Sequence, residues 1–131
     1  MRQLCDTNLL SELARPAPNA GALRWARQVK VIGLSSIVVD EICFGLGWRP
    51  NPRIQAWLDA FLQEHCVILP VTEAIARRSG GLRGRLRASG STRTQADMLI
   101  AATAIEHDLT LVTRNTRDFE GCGLSLLDPF D

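Results

Sequence analysis

Apolar residues in this chain fall into two rhythms: short unbroken runs, and longer stretches in which they recur at every third or fourth position. The unbroken runs are Leu4-Cys5 with the residues before them, Val31-Ile32-Gly33-Leu34, Val67-Ile68-Leu69 and Leu109 to Val112, with Leu124 to Leu127 as a short edge candidate. Runs of this length between turn residues are the pattern of strands buried on both faces.

The stretches between them carry helical spacing and helix punctuation. Leu9, Leu10 and Leu13 predict a helix that stops before Pro16-Ala17-Pro18. Asn19 caps a second helix, Ala20 to Gln28, with Leu23 and Ala26 facing inward. Ser35 or Ser36 opens a third, carrying Ile37, Glu41, Ile42 and Phe44 and closing at Gly45-Leu46-Gly47. Asn51-Pro52 starts a fourth through Ile54, Trp57, Leu58, Phe61 and Leu62. Thr72 caps an arginine-rich helix whose glycines, Gly80, Gly81 and Gly84, predict a kinked or loose middle. Thr94 with Asp97 resembles a capping box for a last helix, Met98 to His107. Strands alternating with helices predict an α/β fold, a mostly parallel sheet of four to five strands with helices on both faces.

Composition narrows the class. The 131 residues are enough for one core, and the absence of repeats or a long linker makes 1–131 a single expected domain. A hydrophobic share of 46%, with no long apolar window, excludes a membrane-spanning helix. The N-terminus reaches Asp6 before any apolar core of a secretion signal forms, so the cytoplasm is the expected location. Cys5, Cys43, Cys66 and Cys122 form no CxxC pair, and the first three sit in apolar runs as small buried hydrophobes do.

The net charge of +1 says little, but its distribution says more. Arg77, Arg78, Arg83, Arg85, Arg87 and Arg93 occur with no acid between Glu73 and Asp97, and Lys30 is the one lysine. Taken alone this is a solvated helix face; beside an acidic metal site it becomes a track for phosphates, which the planar guanidinium suits.

Such a site is suggested by Asp6, Glu41, Asp97 and Asp118, each standing where an apolar stretch ends. Singly, Asp6 and Asp97 pass as helix caps and Asp118 as a turn residue. Glu41 lies in an apolar stretch, where a carboxylate is costly unless paired or metal-bound. Strand ends of an α/β protein converge on one crevice, and carboxylates gathered there are most easily reconciled by a divalent cation.

The frames around these acids match a family. Asp6-Thr7-Asn8-Leu9-Leu10-Ser11-Glu12-Leu13, Leu34-Ser35 running to Glu41, Asp97 through Ile100-Ala101-Ala102-Thr103-Ala104, Leu109-Thr110-Leu111-Val112-Thr113-Arg114-Asn115 to Asp118-Phe119, and the closing Leu127-Asp128-Pro129-Phe130 resemble the PIN-domain nucleases, and within them the VapC-type toxins of the FitB-like branch. The resemblance spans essentially the whole chain and implies a three-layer sandwich. It also implies a Mg²⁺- or Mn²⁺-dependent endoribonuclease with Asp6, Glu41 and Asp97 as metal-binding acids and Asp118 as a fourth. Thr7, Asn8, Ser35, Thr113 and Asn115 would orient them, although cap chemistry explains Ser35 equally well. Arg77, Arg83, Arg87, Arg93, Arg114 and Arg117 are the candidates for holding RNA. His65 and His107 receive no role.

The resemblance further implies the toxin of a toxin–antitoxin pair, a homodimer silenced by a small VapB- or FitA-like antitoxin through which it would meet operator DNA. Trp48, Trp57 and Phe61 are candidates for an apolar groove, but helical spacing can also place Trp57 and Phe61 in the core, and for Phe61 the core is the expected place. Two departures stand out. Asp40 adds an acid beside Glu41 that a helix would point elsewhere, and Cys5 replaces an aliphatic residue. Two other functions compete: a catalytically quiet PIN module within a DNA-bound regulatory complex, and an aspartyl-phosphate phosphatase. The last wants a second acid two residues beyond the nucleophile, where this chain has Asn8.

Overall fold

Each apolar run becomes a strand. The computed structural model describes residues 1–131, with β1 (Gln3–Cys5), β2 (Ile32–Ser35), β3 (Cys66–Leu69), β4 (Thr110–Val112) and β5 (Leu126–Leu127) in one sheet of order β3-β2-β1-β4-β5. Every neighbouring pair is parallel, so the sheet is wholly rather than mostly parallel. The helices are α1 (Thr7–Leu13), α2 (Ala20–Gln28), α3 (Ser36–Trp48), α4 (Pro52–His65), α5 (Glu73–Ala88) and α6 (Gln95–Glu106). From β1 the chain steps outward to β2 and β3, then crosses back to place β4 and β5 on the other side of β1. Right-handed crossovers put α1 to α4 on one face and α5 and α6 on the other. The stepping direction reverses between β1 and β4, so their crossover helices lie on opposite faces and leave a crevice beyond the carboxyl ends of the two strands.

A single cluster of 22 buried residues joins the layers, including Leu4, Leu34, Val38, Ile100, Leu111 and Val112. No helix is long and apolar enough to cross a membrane. The predicted caps are made: Asn19, Asn51, Thr72 and Thr94 each accept a backbone N–H three residues on.

The glycines do not interrupt the helices. α3 runs through Gly45 and Gly47 to Trp48, and α5 is continuous across Gly80, Gly81 and Gly84. One helical glycine costs only about 1 kcal/mol, less than packing supplies, and α5 packs extensively along α6. What ends α3 is Pro50, which disfavours helical backbone at the preceding Arg49 (φ −125°, ψ 86°).

α2 also turns a different face inward. Ala22 and Trp25 are buried, while Leu23 and Ala26 are half-buried. The indole N–H of Trp25 donates to Gln3 Oε1 at 2.7 Å, giving the ring the polar partner it needs to be buried. Of the cysteines expected inside, Cys5 is buried, Cys66 half-buried and Cys43 exposed, whereas Cys122 is buried. Cys43 stands on a helix that buries only Val38, so an apolar run there does not mean a buried one.

The C-terminal residues return to α2. Arg24 donates to both carboxylate oxygens of Asp131 at 3.1 and 3.0 Å. A Cβ on Gly21 would lie 2.3 Å from the Pro129 carbonyl oxygen, so only glycine admits this approach. Gly21→Ala should therefore cost about 1–3 kcal/mol, read as a lower urea midpoint at unchanged m-value. Gly45→Ala, whose added Cβ meets nothing within 4 Å, should stabilise by up to about 1 kcal/mol. Equal midpoints for the two variants would contradict the close approach at Gly21.

Candidate active site

The crevice between β1 and β4 is built around Asp6, the first residue beyond β1. Its N–H donates to the Val112 carbonyl at the end of β4, at 3.3 Å, which extends the β1–β4 pairing by one residue. Its extended backbone (φ −83°, ψ 173°) caps α1, with Oδ1 accepting the Leu9 N–H at 2.9 Å. Oδ2 accepts the hydroxyl of Thr113, the first residue beyond β4, at 2.6 Å. A carboxylate 4% exposed is thus gripped from both strands at the point where the sheet reverses.

The other acids arrive on helices. Glu41 is carried on α3, and its Oε1 accepts the Thr7 hydroxyl at 2.5 Å. Asp97 lies in the first turn of α6, where the Thr94 hydroxyl accepts its backbone N–H at 3.1 Å. The Asp97 carboxylate makes no return bond to the Thr94 N–H, so the capping box is only half formed. Asp118 sits in a 3-10 turn, Thr116–Phe119.

Electrostatics ties the acids together. Burial pushes the Asp6 carboxyl above the usual carboxylate range; the Thr113 hydroxyl and Leu9 N–H oppose it, and the charges of Asp97 and Glu41 add to it. Asp97 is likewise raised, first by burial and then by Asp118 and Glu41, with the Thr94 hydroxyl and Arg93 opposing. The charges of Glu41 and Asp97 thus reach Asp6, and that of Asp118 reaches Asp97.

As placed, no three His, Cys, Asp or Glu side chains are arranged to hold a metal ion among themselves. The match to a cation lies in donor chemistry: carboxylates whose charges raise one another, with hydroxyls behind them and no nitrogen or sulfur ligand in the set. That suits Mg²⁺ or Mn²⁺ better than zinc. Mg²⁺ commonly keeps several waters and takes one or two carboxylates, so it does not require a closed protein cage.

The supporting residues divide. Thr7 and Thr113 bond the acids directly, and Thr113 Oγ1 also accepts the Asn115 N–H at 3.0 Å. Ser35 is a helix cap, its hydroxyl accepting the Ile37 N–H at 3.2 Å. Asn8 is exposed and its side chain bonds no acid. Asn115 meets the site through its backbone only.

The arginines divide too. Arg77 is paired with Glu73 and Arg78 with Glu106. Arg83, Arg87 and Arg93 line one hollow, while Arg114 and Arg117 line another beside Asp118. Arg93 is a structural latch, donating to the carbonyls of Asp118 at 2.6 Å and Glu120 at 2.7 Å. His65 and His107 are exposed at the ends of α4 and α6.

The family model of the PIN domain matches residues 4–121. The chain belongs to the PIN-domain family. Its relatives include "VapC ribonuclease Y4jK" of Sinorhizobium fredii, 31% identical with 96% of each chain covered. Among solved structures, FitAcB from Neisseria gonorrhoeae superposes with a TM-score of 0.82 at 31% identity, covering 97% of each chain. VapBC2 from Rickettsia felis, bound to a DNA fragment from its promoter, gives 0.86 at 27% identity over the whole of both chains.

An apolar groove opens from the acid pocket of this PIN domain. Thr7 and Glu41 form its inner end, and Ile42, Leu46, Ile54 and Leu58 its walls. Trp57, stacked on Phe61 with centroids 4.7 Å apart, continues it into a second hollow with Leu23 and His65. Phe61 is thus a groove wall packed against the core rather than a core residue. Trp48 stands apart, 72% exposed, paired with the 70% exposed Phe44. The signal for this surface was present in the sequence: α3 is apolar nearly all round, and a helix of that kind on a small domain has a face awaiting a partner.

Raised carboxyl pKa values favour the folded state at low pH, and that advantage is lost as pH rises through the folded-state values. In chelator, Asp97→Asn should gain on the wild type as pH is raised from the ordinary carboxylate value near 3.8 toward neutrality, read as a growing difference in melting temperature. A difference that stays constant over that window would remove Asp97 from a mutually repelling cluster.

Proposed function

We propose that this protein is a Mg²⁺- or Mn²⁺-dependent endoribonuclease and the toxin of a toxin–antitoxin pair. The observation that carries the reading is the buried Asp6 carboxylate held by Thr113 at the β1–β4 crevice, with the charges of Glu41 and Asp97 acting on it and that of Asp118 acting on Asp97. The relatives' ribonuclease and toxin names support it.

Asp6, Asp97 and Glu41 would hold the ion, with Asp118 assisting. When bound, such an ion supplies Lewis acidity at the scissile phosphate and toward an attacking water. The chain's own residues supply fixed geometry. Thr113 and the Leu9 N–H hold the two Asp6 oxygens, and Thr7 holds Glu41. Their support keeps the acidic oxygens from following the substrate as charge shifts to the leaving oxygen. With both histidines at exposed helix ends, proton transfer falls to water and carboxylates.

The apolar groove beside Glu41 is the proposed seat of the antitoxin, whose apolar side chains would cover Ile42, Leu46, Ile54 and Trp57 and whose far end would reach the acids. Phe44 and Trp48 lie outside that groove and offer a surface for a second copy of the chain. The DNA-bound Rickettsia relative supports an alternative role as a catalytically quiet PIN module within a promoter complex.

Purified protein incubated with RNA and Mg²⁺ or Mn²⁺ should cleave it, and chelator should abolish cleavage. Thr113→Val should lower the rate about 10–100-fold, and Asp97→Asn by more. Mn²⁺ should also raise the melting temperature of the wild type and leave that of Asp97→Asn unmoved. Cleavage that survives chelator, or persists in Asp97→Asn, would sink the metal mechanism. Nucleic-acid binding without cleavage in either ion would favour the quiet module.

A further inference from the structure

Arginines along α5 and the loop that follows it are not equivalent. Arg77 and Arg78 are neutralised by Glu73 and Glu106, through contacts of 2.8 and 2.5 Å. Arg83 and Arg87, further along the same helix, have no carboxylate partner. Together with Arg93 and Thr92 they surround an open hollow floored by Gly80 and Gly84, and neither an acidic nor an apolar side chain lines it. A Cβ on either glycine would meet nothing within 4 Å, so this floor is bare backbone open to solvent.

The hollow connects to the acid pocket through one fixed residue. Arg93 is anchored by three hydrogen bonds, to Ser91 Oγ and to the carbonyls of Asp118 and Glu120. Its charge also acts on Asp97. By contrast, the apolar groove reaches the pocket from Thr7 and Glu41, and the groove and the hollow have no lining residue in common.

We infer that the Gly80–Gly84 hollow is a phosphate-binding cleft that holds the RNA backbone a short distance from the scissile bond, with Arg83 and Arg87 as its contact residues. The inference rests on the ribonuclease reading and adds a direction to it. RNA enters along α5 and the α5–α6 loop, whereas the antitoxin occupies the α3–α4 side, and the two meet only at the acids. Guanidinium groups without acidic partners match phosphate charge, and glycine at two positions one helical turn apart lets a sugar–phosphate chain lie close to the helix. Arg93 serves as a positioning residue, fixing the cleft relative to Asp97 and Asp118.

The test measures binding separately from cleavage. A 5′-fluorescein-labelled, short single-stranded RNA is titrated with full-length protein in chelator, and anisotropy is followed over a series of salt concentrations. Removing two phosphate contacts should reduce the slope of log affinity against log salt by about 1.4. The Arg83→Ala/Arg87→Ala variant should show that reduction with affinity weakened on the order of 10-fold at about 0.1 M salt. The control Arg77→Ala should keep the wild-type slope, and Arg83→Lys/Arg87→Lys should restore most of it. A DNA strand of the same sequence should depend on Arg83 and Arg87 in the same way, because the contact is to phosphate.

Both alanine substitutions favour helix, and circular dichroism of each variant confirms that the fold is retained. An unchanged slope in Arg83→Ala/Arg87→Ala, or no RNA binding by the wild type, would overturn the cleft. Binding that depends on these arginines without cleavage in any divalent ion would leave the cleft standing and remove the nuclease reading.

Discussion

Everything near the acid pocket depends on one carboxylate held between two parallel strands. Asp6 closes the β1–β4 pairing with its N–H, starts α1 with one oxygen and accepts Thr113 with the other. These bonds lie where the strand order reverses, the place at which an open α/β sheet leaves a crevice at the carboxyl ends of its strands. The site follows from topology: strand order β3-β2-β1-β4-β5 makes the opening, and a buried acid fills it. Burying that acid is unfavourable by itself and pushes its carboxyl pKa up. The fold tolerates it because two hydrogen bonds compensate part of the desolvation.

How much of this was legible in the chain depended on the range of the interaction concerned. Strands and caps are local, and Asn19, Asn51, Thr72 and Thr94 all act as their side-chain chemistry requires. The acids could be placed because the end of a strand is visible as the end of an apolar run. Tertiary packing decided the rest. Glycine inside α5 looks like a break until α6 is seen lying along it, and the inward face of α2 is chosen by Gln3, which meets Trp25 from 22 positions away. The same holds for the arginines. Arg77 finds its acid four residues back, a partner any helix would offer, but Arg78 finds Glu106 and Arg93 finds the Asp118 turn only after folding. Ser35 takes the cap role that its position offered equally, and the Asn8 side chain bonds none of the acids.

α3 illustrates how function can compete with packing. Its sequence is apolar enough for the centre of a larger protein, yet only Val38 is buried. Helix burial of that kind is incomplete until another chain supplies it, and such surfaces remain exposed at the risk of nonspecific association. Pro50 stops the helix just after Trp48, which leaves the aromatic end projecting instead of folded back on the domain.

A formal charge of +1 describes this protein poorly. Asp6, Glu41 and Asp97 act on one another while Arg83, Arg87 and Arg93 line a hollow free of acids, so a molecule nearly neutral at a distance carries local fields within a Debye length of about 8–10 Å. Long-range attraction of a polyanion is then weak, and the local field orients it only during the last approach. Productive encounters would be governed by how a nucleic acid turns after arriving at the surface, more than by how often it arrives.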